Sequence, residues 1–244
     1  MAWVGPFLSE GIGQILPVLP DSARLVYDRR VRIEADQESA NGCPASLTRY
    51  SAGMPPLPVH RFSVEAYRQL IKAGVLNEDT PVELLDGWIV EKLPCTPLHD
   101  IVIIRFYNRS LARRLQAGWC CRFPCAVTTL DSEPEPDLAV VRGDELDFVV
   151  RHPGPDDVGM IIEVSDTSLR RDRTVKGALC ARASIPVYWI INLQDGRIEV
   201  YTEPVGAGGD ARYSRRRSYG ISKSVPLILD GLEVARSPVS KILP

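Results

Sequence analysis

The residues with the clearest chemical potential are two carboxylates beside apolar runs. Residues 132–141 read SEPEPDLAVV, and Asp137 leads directly into the apolar part, where an unpaired carboxylate is costly. Glu163 interrupts MIIEVS at residues 160–165. Carboxylates at the ends of two buried strands repel each other unless a cation lies between them, and Mg²⁺ binds through one or two carboxylates, waters and phosphate oxygens. The alternatives are a turn role for Asp137 and a solvent-facing edge position for Glu163.

The two prolines ahead of Asp137 restrict the backbone that delivers it. Proline favours extended backbone in the preceding residue and donates no ladder hydrogen bond, so Pro134 and Pro136 indicate the entry of a strand. The neighbouring Glu133 and Glu135 are expected to face solvent.

The first elements of this region are predicted to be a helix, a hairpin and a second helix. Ser63 is a suitable N-cap for the first helix, and Gly74 is suited to end it. Asp86 and Gly87 stand between two apolar runs and predict a hairpin, which places Glu83 on its first arm. The next segment, HDIVIIRFYNRSLARRL, is predicted as a helix whose core face carries Ile101, Ile104, Leu111 and Leu115.

The later elements are predicted to be strands around one further helix. Strand-like runs lie at 120–130, 137–141, 160–165 and 187–193, and an Asp-Gly pair then predicts a hairpin into 197–201. Residues 172–183 have helical spacing, with Val175, Ala178, Leu179 and Arg182 on one side. Residues 203–224 are predicted as a loop that carries Arg215, Arg216 and Arg217, and residues 224–235 as a last strand and turn. This order predicts a mixed α/β or α+β domain, with helices covering a sheet.

Three long stretches resemble one known family. FSVEAYRQLIKAGVLNEDTPVELLDGWIVEKLPCTPLHD, SEPEPDLAVVR and IIEVSDTSLRRDRTVKGALCARASIPVYWIINLQDGRIEVY are together similar to the Uma-type family of restriction endonucleases, in the PD-(D/E)xK superfamily. The resemblance implies a restriction-endonuclease-like core in residues 58–244, with a mixed central sheet flanked by helices. Residues 1–57 fall outside it and are expected to be a poorly ordered extension, or an upstream start miscalled ahead of Met54.

One departure from the superfamily pattern concerns its lysine. The pattern places Lys two residues after Glu163, where this chain has Ser165. The family resemblance implies that the lysine is displaced to the next helix, where D-x-x-x-K is matched by Asp172 and Lys176. That lysine would orient or deprotonate the attacking water, or stabilise the phosphate in the transition state. The alternative is a surface pair between Asp172 and Lys176 at i,i+4 spacing.

The resemblance also assigns residues around this pair. Glu83 in E-L-x-D-G is implied as a third acidic metal ligand, and the alternative is a cross-strand partner in the hairpin. His99 in P-x-x-H is implied to position phosphate or water, and the alternative is a capping or exposed role. The basic residues Arg170, Arg171 and Arg173 are candidates for binding a phosphate backbone, although such a run is also typical of a solvated helix start.

Composition excludes several classes of protein. The 244 residues carry a formal net charge of −2, so no global basic field indicates a DNA coat protein. Six cysteines have no CxxC pair, which favours reduced, mostly buried thiols over a zinc site. No signal peptide or membrane span is expected, and the predicted location is the cytoplasm of a bacterium. Tyr188 and Trp189 are interpreted as core residues of a buried strand.

The leading hypothesis is a DNA endonuclease that depends on Mg²⁺, with Mn²⁺ as a substitute. Asp137, Glu163 and Glu83 would hold the ion, and Lys176 would assist attack on the phosphodiester. The alternative is a catalytically inactive nuclease-like module that binds nucleic acid or a protein partner. A hydrolase of another phosphate ester is a third hypothesis, and a homodimer is left open.

Overall fold

The computed structural model describes residues 59–244. The predictions for residues 1–57, and for a start at Met54, lie outside the described residues. None of the helices among residues 59–244 has the length and apolar character that a membrane crossing requires.

The helices are short and most lie in the first two thirds of the described chain. They are α1 (Val64–Lys72), α2 (Pro97–Phe106), α3 (Leu169–Arg171), α4 (Gly177–Arg182) and α5 (Val239–Ile242). Two π-helical turns extend them, Tyr107–Leu111 after α2 and Asp172–Lys176 between α3 and α4. The predicted cap of α1 is present, because the Ser63 side chain accepts a hydrogen bond from the Ala66 N–H at 3.1 Å.

The strands form one large sheet and two hairpins. They are β1 (Val82–Leu85), β2 (Trp88–Glu91), β3 (Trp119–Arg122), β4 (Leu138–Arg142), β5 (Val158–Ser165), β6 (Val187–Asn192), β7 (Arg197–Val205), β8 (Arg212–Gly220), β9 (Ser224–Leu229) and β10 (Leu232–Pro238). The six-stranded sheet has the order β3-β4-β5-β6-β7-β8, while β1 pairs with β2 and β9 with β10.

Only the central step of the large sheet is parallel. Strands β5 and β6 run parallel, and the other neighbouring pairs are antiparallel. A parallel pair needs a crossover connection, and here α3, the second π-helical turn and α4 supply it. The predicted mixed α+β fold with a mixed central sheet is therefore confirmed.

Hydrophobic clusters cover both faces of the sheet. Successive residues of a strand point to opposite faces, and Trp189 packs with Val102 and Phe106 of α2 on one face. Tyr188 packs with Cys180 of α4 on the other face. Both aromatic residues are at most 1% exposed, which confirms their interpretation as core residues.

The predicted core face of the second helix is partly wrong. Ile101 and Ile104 are 52% and 56% exposed, whereas Val102 and Phe106 are buried. Leu111 is buried as predicted. The single period assumed for residues 99–115 fails because α2 ends at Phe106 and a π-helical turn follows, which shifts the phase of the buried face.

Other element predictions also need correction. The predicted loop at 203–224 contains β8, and Arg215, Arg216 and Arg217 lie on this edge strand. Within 120–130 the strand ends at Arg122. The last strand and turn are a complete hairpin, β9–β10. In the crossover, Val175 is exposed, because the π-helical turn brings Asp172 and Lys176 to the buried side.

Candidate active site

Asp137 and Glu163 are brought to one end of neighbouring strands. Leu138 pairs with Ile162 in the antiparallel β4–β5 ladder, so continuing the register by one residue places Asp137 opposite Glu163. The backbone N–H of Val164 donates to Asp137 Oδ2 at 2.7 Å. Glu163 is 4% exposed. The solvent-facing alternative for Glu163 is therefore excluded, and Asp137 is held by the next strand.

Glu83 reaches the same place from the β1–β2 hairpin. An isolated bridge pairs Leu84 with Glu133, which joins the hairpin to the segment ahead of Asp137. Glu83 is fully buried, and its Oε2 accepts a hydrogen bond from the Glu135 N–H at 3.2 Å. Its Oε1 is buried and has no hydrogen-bond partner among residues 59–244. The hairpin therefore delivers a buried carboxylate with one unsatisfied oxygen.

Lys176 lies between the two buried glutamates. Its Nζ is 3.0 Å from Glu163 Oε1 and 3.3 Å from Glu83 Oε2. Asp172 does not form the alternative surface pair with it. Asp172 Oδ2 instead accepts hydrogen bonds from the hydroxyls of Ser165 at 2.7 Å and Ser168 at 2.5 Å. The structure thus places the lysine of the D-x-x-x-K motif beside the carboxylates, and its aspartate at the start of the crossover.

His99 contacts the carboxylate of Asp137. Its Nε2 lies 3.1 Å from Asp137 Oδ2, and its Nδ1 lies 3.2 Å from Asp100 Oδ1. His99 is 8% exposed, so the alternative of an exposed role is excluded. The hydrogen bond to Asp137 raises the pKa of His99, against the opposing effect of burial.

Burial and neighbouring charges shift the pKa values of Glu163 and Lys176. Burial raises the pKa of Glu163 well above its ordinary value, and although Lys176 opposes this, the nearby acids Asp137, Asp172 and Glu83 add to it. Burial lowers the pKa of Lys176, but the carboxylates of Glu163 and Glu83 outweigh it, so the net shift is upward. Lys176 therefore stays a charged ammonium while these pairs are intact, which disfavours its role as a general base.

These residues line one cavity of about 500 Å³. Six of the eight residues predicted for the site line it: Glu83, His99, Asp137, Glu163, Arg171 and Lys176. Arg171 also donates from Nη1 to the Glu91 carbonyl at 2.9 Å, and its Nη2 lies 3.8 Å from Glu83 Oε1. The remaining predicted residues, Arg170 and Arg173, line a separate shallow pocket.

Arg173 belongs to a different cluster. Its guanidinium makes a two-pronged hydrogen bond to Glu199, with Nε 3.1 Å from Oε2 and Nη2 bonded to Oε1. Arg170 is exposed. The structure therefore places Arg171 at the cavity, Arg170 on the surface nearby, and Arg173 in an ion pair with the buried Glu199.

Sequence reasoning expected Glu133 and Glu135 to face solvent, whereas the structure pairs each of them with a basic side chain. Glu135 lines the cavity and accepts a charged hydrogen bond from Lys92 Nζ at 2.6 Å. Glu133 is not solvent-facing but 4% exposed, because Arg68 Nη2 binds its Oε2 at 2.6 Å. The spacing carried a usable signal for Glu135, because residues two apart in extended backbone share a face and Asp137 also lines the cavity.

The donor set fits a hard divalent cation. Asp137 and Glu163 offer carboxylate oxygens, and the unpartnered Oε1 of Glu83 is the kind of buried atom that a cation or its water satisfies. Lys176 binds both glutamates, but Glu83 also accepts from the Glu135 N–H and lies 3.8 Å from Arg171 Nη2, so Asp137 and Glu163 are the better direct ligands. Mg²⁺ needs no more than one or two carboxylates, because it keeps several waters.

One family model matches most of the chain. The family model described as "Uma2: Putative restriction endonuclease" matches residues 64–237. This chain belongs to the Uma2 family. The matched range includes every residue that lines the cavity. No curated protein matches the chain.

A solved structure shows the same fold. It is described as the crystal structure of "a putative nuclease belonging to DUF820" from Anabaena variabilis ATCC 29413. The TM-score is 0.53 at 12% sequence identity. The match covers 74% of this Uma2-family chain and 97% of the Anabaena chain. At this identity the likeness establishes the nuclease-type fold and carries no assignment of individual residues.

Proposed function

We propose that this Uma2-family chain is a Mg²⁺-dependent DNA endonuclease whose centre is the cavity around Asp137 and Glu163. The observation that carries the proposal is the position of Lys176, which lies within 3.3 Å of both buried glutamates in a cavity that Asp137 also lines. Acidic residues and a buried lysine in a single cleft suit the hydrolysis of a phosphodiester.

The carboxylates of Asp137 and Glu163 would hold Mg²⁺, or Mn²⁺ in its place. When bound, such an ion polarises a phosphoryl oxygen and stabilises the charge that develops on it. Without a cation, the carboxylates of the cavity repel a phosphate. The charge of the cavity therefore supports a requirement for a metal.

The chain's own residues have separable tasks in this proposal. Lys176 carries a positive charge to the reacting phosphate, where it stabilises the transition state. Glu83 holds Lys176 from the opposite side to Glu163. His99 holds Asp137 through Nε2 and so orients one of the metal ligands.

DNA would approach along the basic residues beside the cavity. Arg171 lines it, and Arg170 is exposed next to it, so both suit contacts to a phosphate backbone. Arg173 is a weaker candidate, since its guanidinium is bound to Glu199. A cytoplasmic location and a homodimer remain predictions.

The test is a cleavage assay on supercoiled and single-stranded DNA with Mg²⁺ or Mn²⁺, comparing the wild-type protein with Asp137→Asn. The variant keeps the shape and an acceptor for the Val164 N–H but loses the charge. We expect nicking or linearisation by the wild type, dependence on the ion, and loss of cleavage in the variant.

The matched control is Asp230→Asn, an exposed aspartate paired with Arg142 on the surface. It should cleave as the wild type does. Cleavage by Asp137→Asn at the wild-type rate, or cleavage that persists in EDTA, contradicts the proposal. Turnover of a small phosphate ester without cleavage of DNA assigns the site to another hydrolase.

A specific observation also favours a non-catalytic nuclease-like module. Lys176 pairs with Glu163 and Glu83 directly, so the cluster is partly neutralised without a metal. Titration calorimetry with Mg²⁺ and Mn²⁺ separates the two functions. Binding that Asp137→Asn removes supports the endonuclease, and no binding at millimolar ion supports the module.

A further inference from the structure

A second cluster of ligating side chains borders the cavity. Among residues 59–244, one set of three Cys, His and acidic side chains has ligand atoms that all lie within 4.8 Å of one another: Cys95, His99 and Asp100. The set is compact because Cys95 immediately precedes the N-cap of α2, while His99 and Asp100 lie in its first turn. The Thr96 side chain caps this turn by accepting from the His99 N–H at 3.3 Å.

The orientation of His99 is a second and independent observation. Its Nε2 lies 3.1 Å from Asp137 Oδ2, so the tautomer with the proton on Nε2 donates to this carboxylate and leaves the lone pair of Nδ1 for a cation. The ring therefore directs Nδ1 to the cluster, where it lies 3.2 Å from Asp100 Oδ1. Histidines that ligate a metal almost always donate their other N–H to a carboxylate or carbonyl, which sets the tautomer.

We propose that Cys95, His99 and Asp100 form a binding site for a borderline divalent cation of the zinc type, separate from the Mg²⁺ site. One thiolate, one imidazole nitrogen and one carboxylate are the ligand types of zinc, and a thiolate is a poor ligand for Mg²⁺. In a tetrahedral site with bonds of ~2.0–2.3 Å, neighbouring ligand atoms are about 3.3–3.8 Å apart.

The existing geometry is close to this requirement. The Nδ1–Oδ1 separation of 3.2 Å already matches it. Cys95 and Asp100 are exposed, so their side chains can close the rest of the distance by rotation. Binding displaces the thiol proton of Cys95 and any proton on Nδ1 to solvent.

The proposed ion would border the nuclease cavity, because Cys95 and His99 both line it. His99 would join the two sites, with Nδ1 on the ion and Nε2–H on Asp137. The fourth ligand position of the ion would be open to water or to a group of the substrate. This inference does not depend on the proposed endonuclease activity.

The experiment is a titration of the full-length reduced protein with Co²⁺ in the absence of Mg²⁺, followed by absorption. A thiolate ligand gives a sulfur-to-cobalt charge-transfer band in the near ultraviolet, which an oxygen-only site does not produce. We expect this band, its loss on addition of Zn²⁺, and its absence in Cys95→Ser. Asp100→Asn should weaken Co²⁺ binding by about tenfold or more.

Two controls make the outcome decisive. Cys125→Ser removes another partly exposed thiol, which accepts from Arg122 Nε at 3.3 Å, and it should retain the band. Asp137→Asn keeps an acceptor for Nε2–H and should also retain it, even if the proposed Mg²⁺-dependent cleavage is lost. A missing band in the wild type, or an unchanged band in Cys95→Ser, overturns the zinc-type site without affecting the endonuclease proposal.

Discussion

Two buried glutamates in the same row of the central sheet have opposite surroundings. Glu163 on β5 and Glu199 on β7 both pair with Ile190 of β6, so they share a face and lie about 10 Å apart. The crossover between β5 and β6 supplies a cation to each, Lys176 to Glu163 and Arg173 to Glu199. The two sites therefore differ in the remaining partners and not in depth.

Glu199 is fully compensated. Burial alone would raise the pKa of Glu199, but hydrogen bonds from Arg173, Tyr201 and Asn192 and the charge of Arg216 lower it to about 2. In the described part of the chain, Glu163 has only Lys176 as a close hydrogen-bonding partner. Burial raises the pKa of Glu163, and the surrounding acids add to this effect. The comparison teaches that a buried carboxylate indicates function when it lacks partners, and stability when it has them.

The sharpest test of this comparison is the paired substitution of both glutamates by glutamine. Glu163→Gln should reduce Mg²⁺-dependent DNA cleavage by about 1000-fold, ~4 kcal/mol of barrier, because it removes a proposed metal ligand. It should leave the melting temperature unchanged or slightly raised. Glu199→Gln should cleave normally and melt at a lower temperature. Equal effects of the two variants on cleavage would remove the distinction.

Removal of the cation from each pair should also have different effects on stability. Lys176→Met leaves Glu163 and Glu83 buried without their cation, so we expect a loss of about 3 kcal/mol in the free energy of unfolding, and no cleavage. Arg173→Met leaves Glu199 with three other donors and should cost about 1–2 kcal/mol. Urea unfolding measures both. Impaired DNA binding by Arg173→Met at normal stability would instead return Arg173 to the substrate-binding role.

The pH dependence of stability should separate the two glutamates further. The folded pKa of Glu199, about 2, lies below its ordinary value of 4.5, so its contribution is present above pH 4.5 and is lost as the pH falls toward 2. The full shift corresponds to on the order of 3 kcal/mol. Between about pH 5.5 and pH 3, the stability difference between wild type and Glu199→Gln should narrow by about 2 kcal/mol. A constant difference would show that Glu199 is not ionised in the folded protein.

Short-range patterns predicted much of the fold. The capped helix at Ser63, the Asp86-Gly87 hairpin and the apolar strand at 187–193 are all present. Strand β8 was missed because it is an edge strand with arginines at three successive positions, so it shows neither an apolar run nor alternation. The two π-helical turns were missed because an inserted residue changes the helical phase without any signal in residue type.

The sequence predicted residues of the site but not the contacts between residues on different strands and helices. The apolar runs identified Asp137 and Glu163, and the family resemblance identified Lys176; the structure brings the three together in one cavity. The partner of Arg173 could not be predicted, since Glu199 is 26 residues away and meets it only through the register of β5, β6 and β7. Long-range pairing of this kind depends on topology, which local periodicity does not contain.

The smallest expected effect comes from removing one of the hydrogen bonds that stabilise the Glu199 carboxylate. The Tyr201 hydroxyl donates to Glu199 Oε2 at 2.7 Å, while its ring packs against Tyr188 and Tyr213. Tyr201→Phe keeps the ring contacts and removes one donor, so we expect a loss of about 1 kcal/mol, measured by urea unfolding at neutral pH.

The same substitution in the background of Glu199→Gln should cost less, because the hydroxyl then bonds to a neutral amide. The double-mutant cycle thus isolates the interaction of the hydroxyl with the carboxylate charge. An unchanged cost in that background would show that Tyr201 acts through packing alone. Glu199 would then owe its low pKa to Arg173, Asn192 and Arg216, and the contrast with Glu163 would rest on the cations of the two clusters.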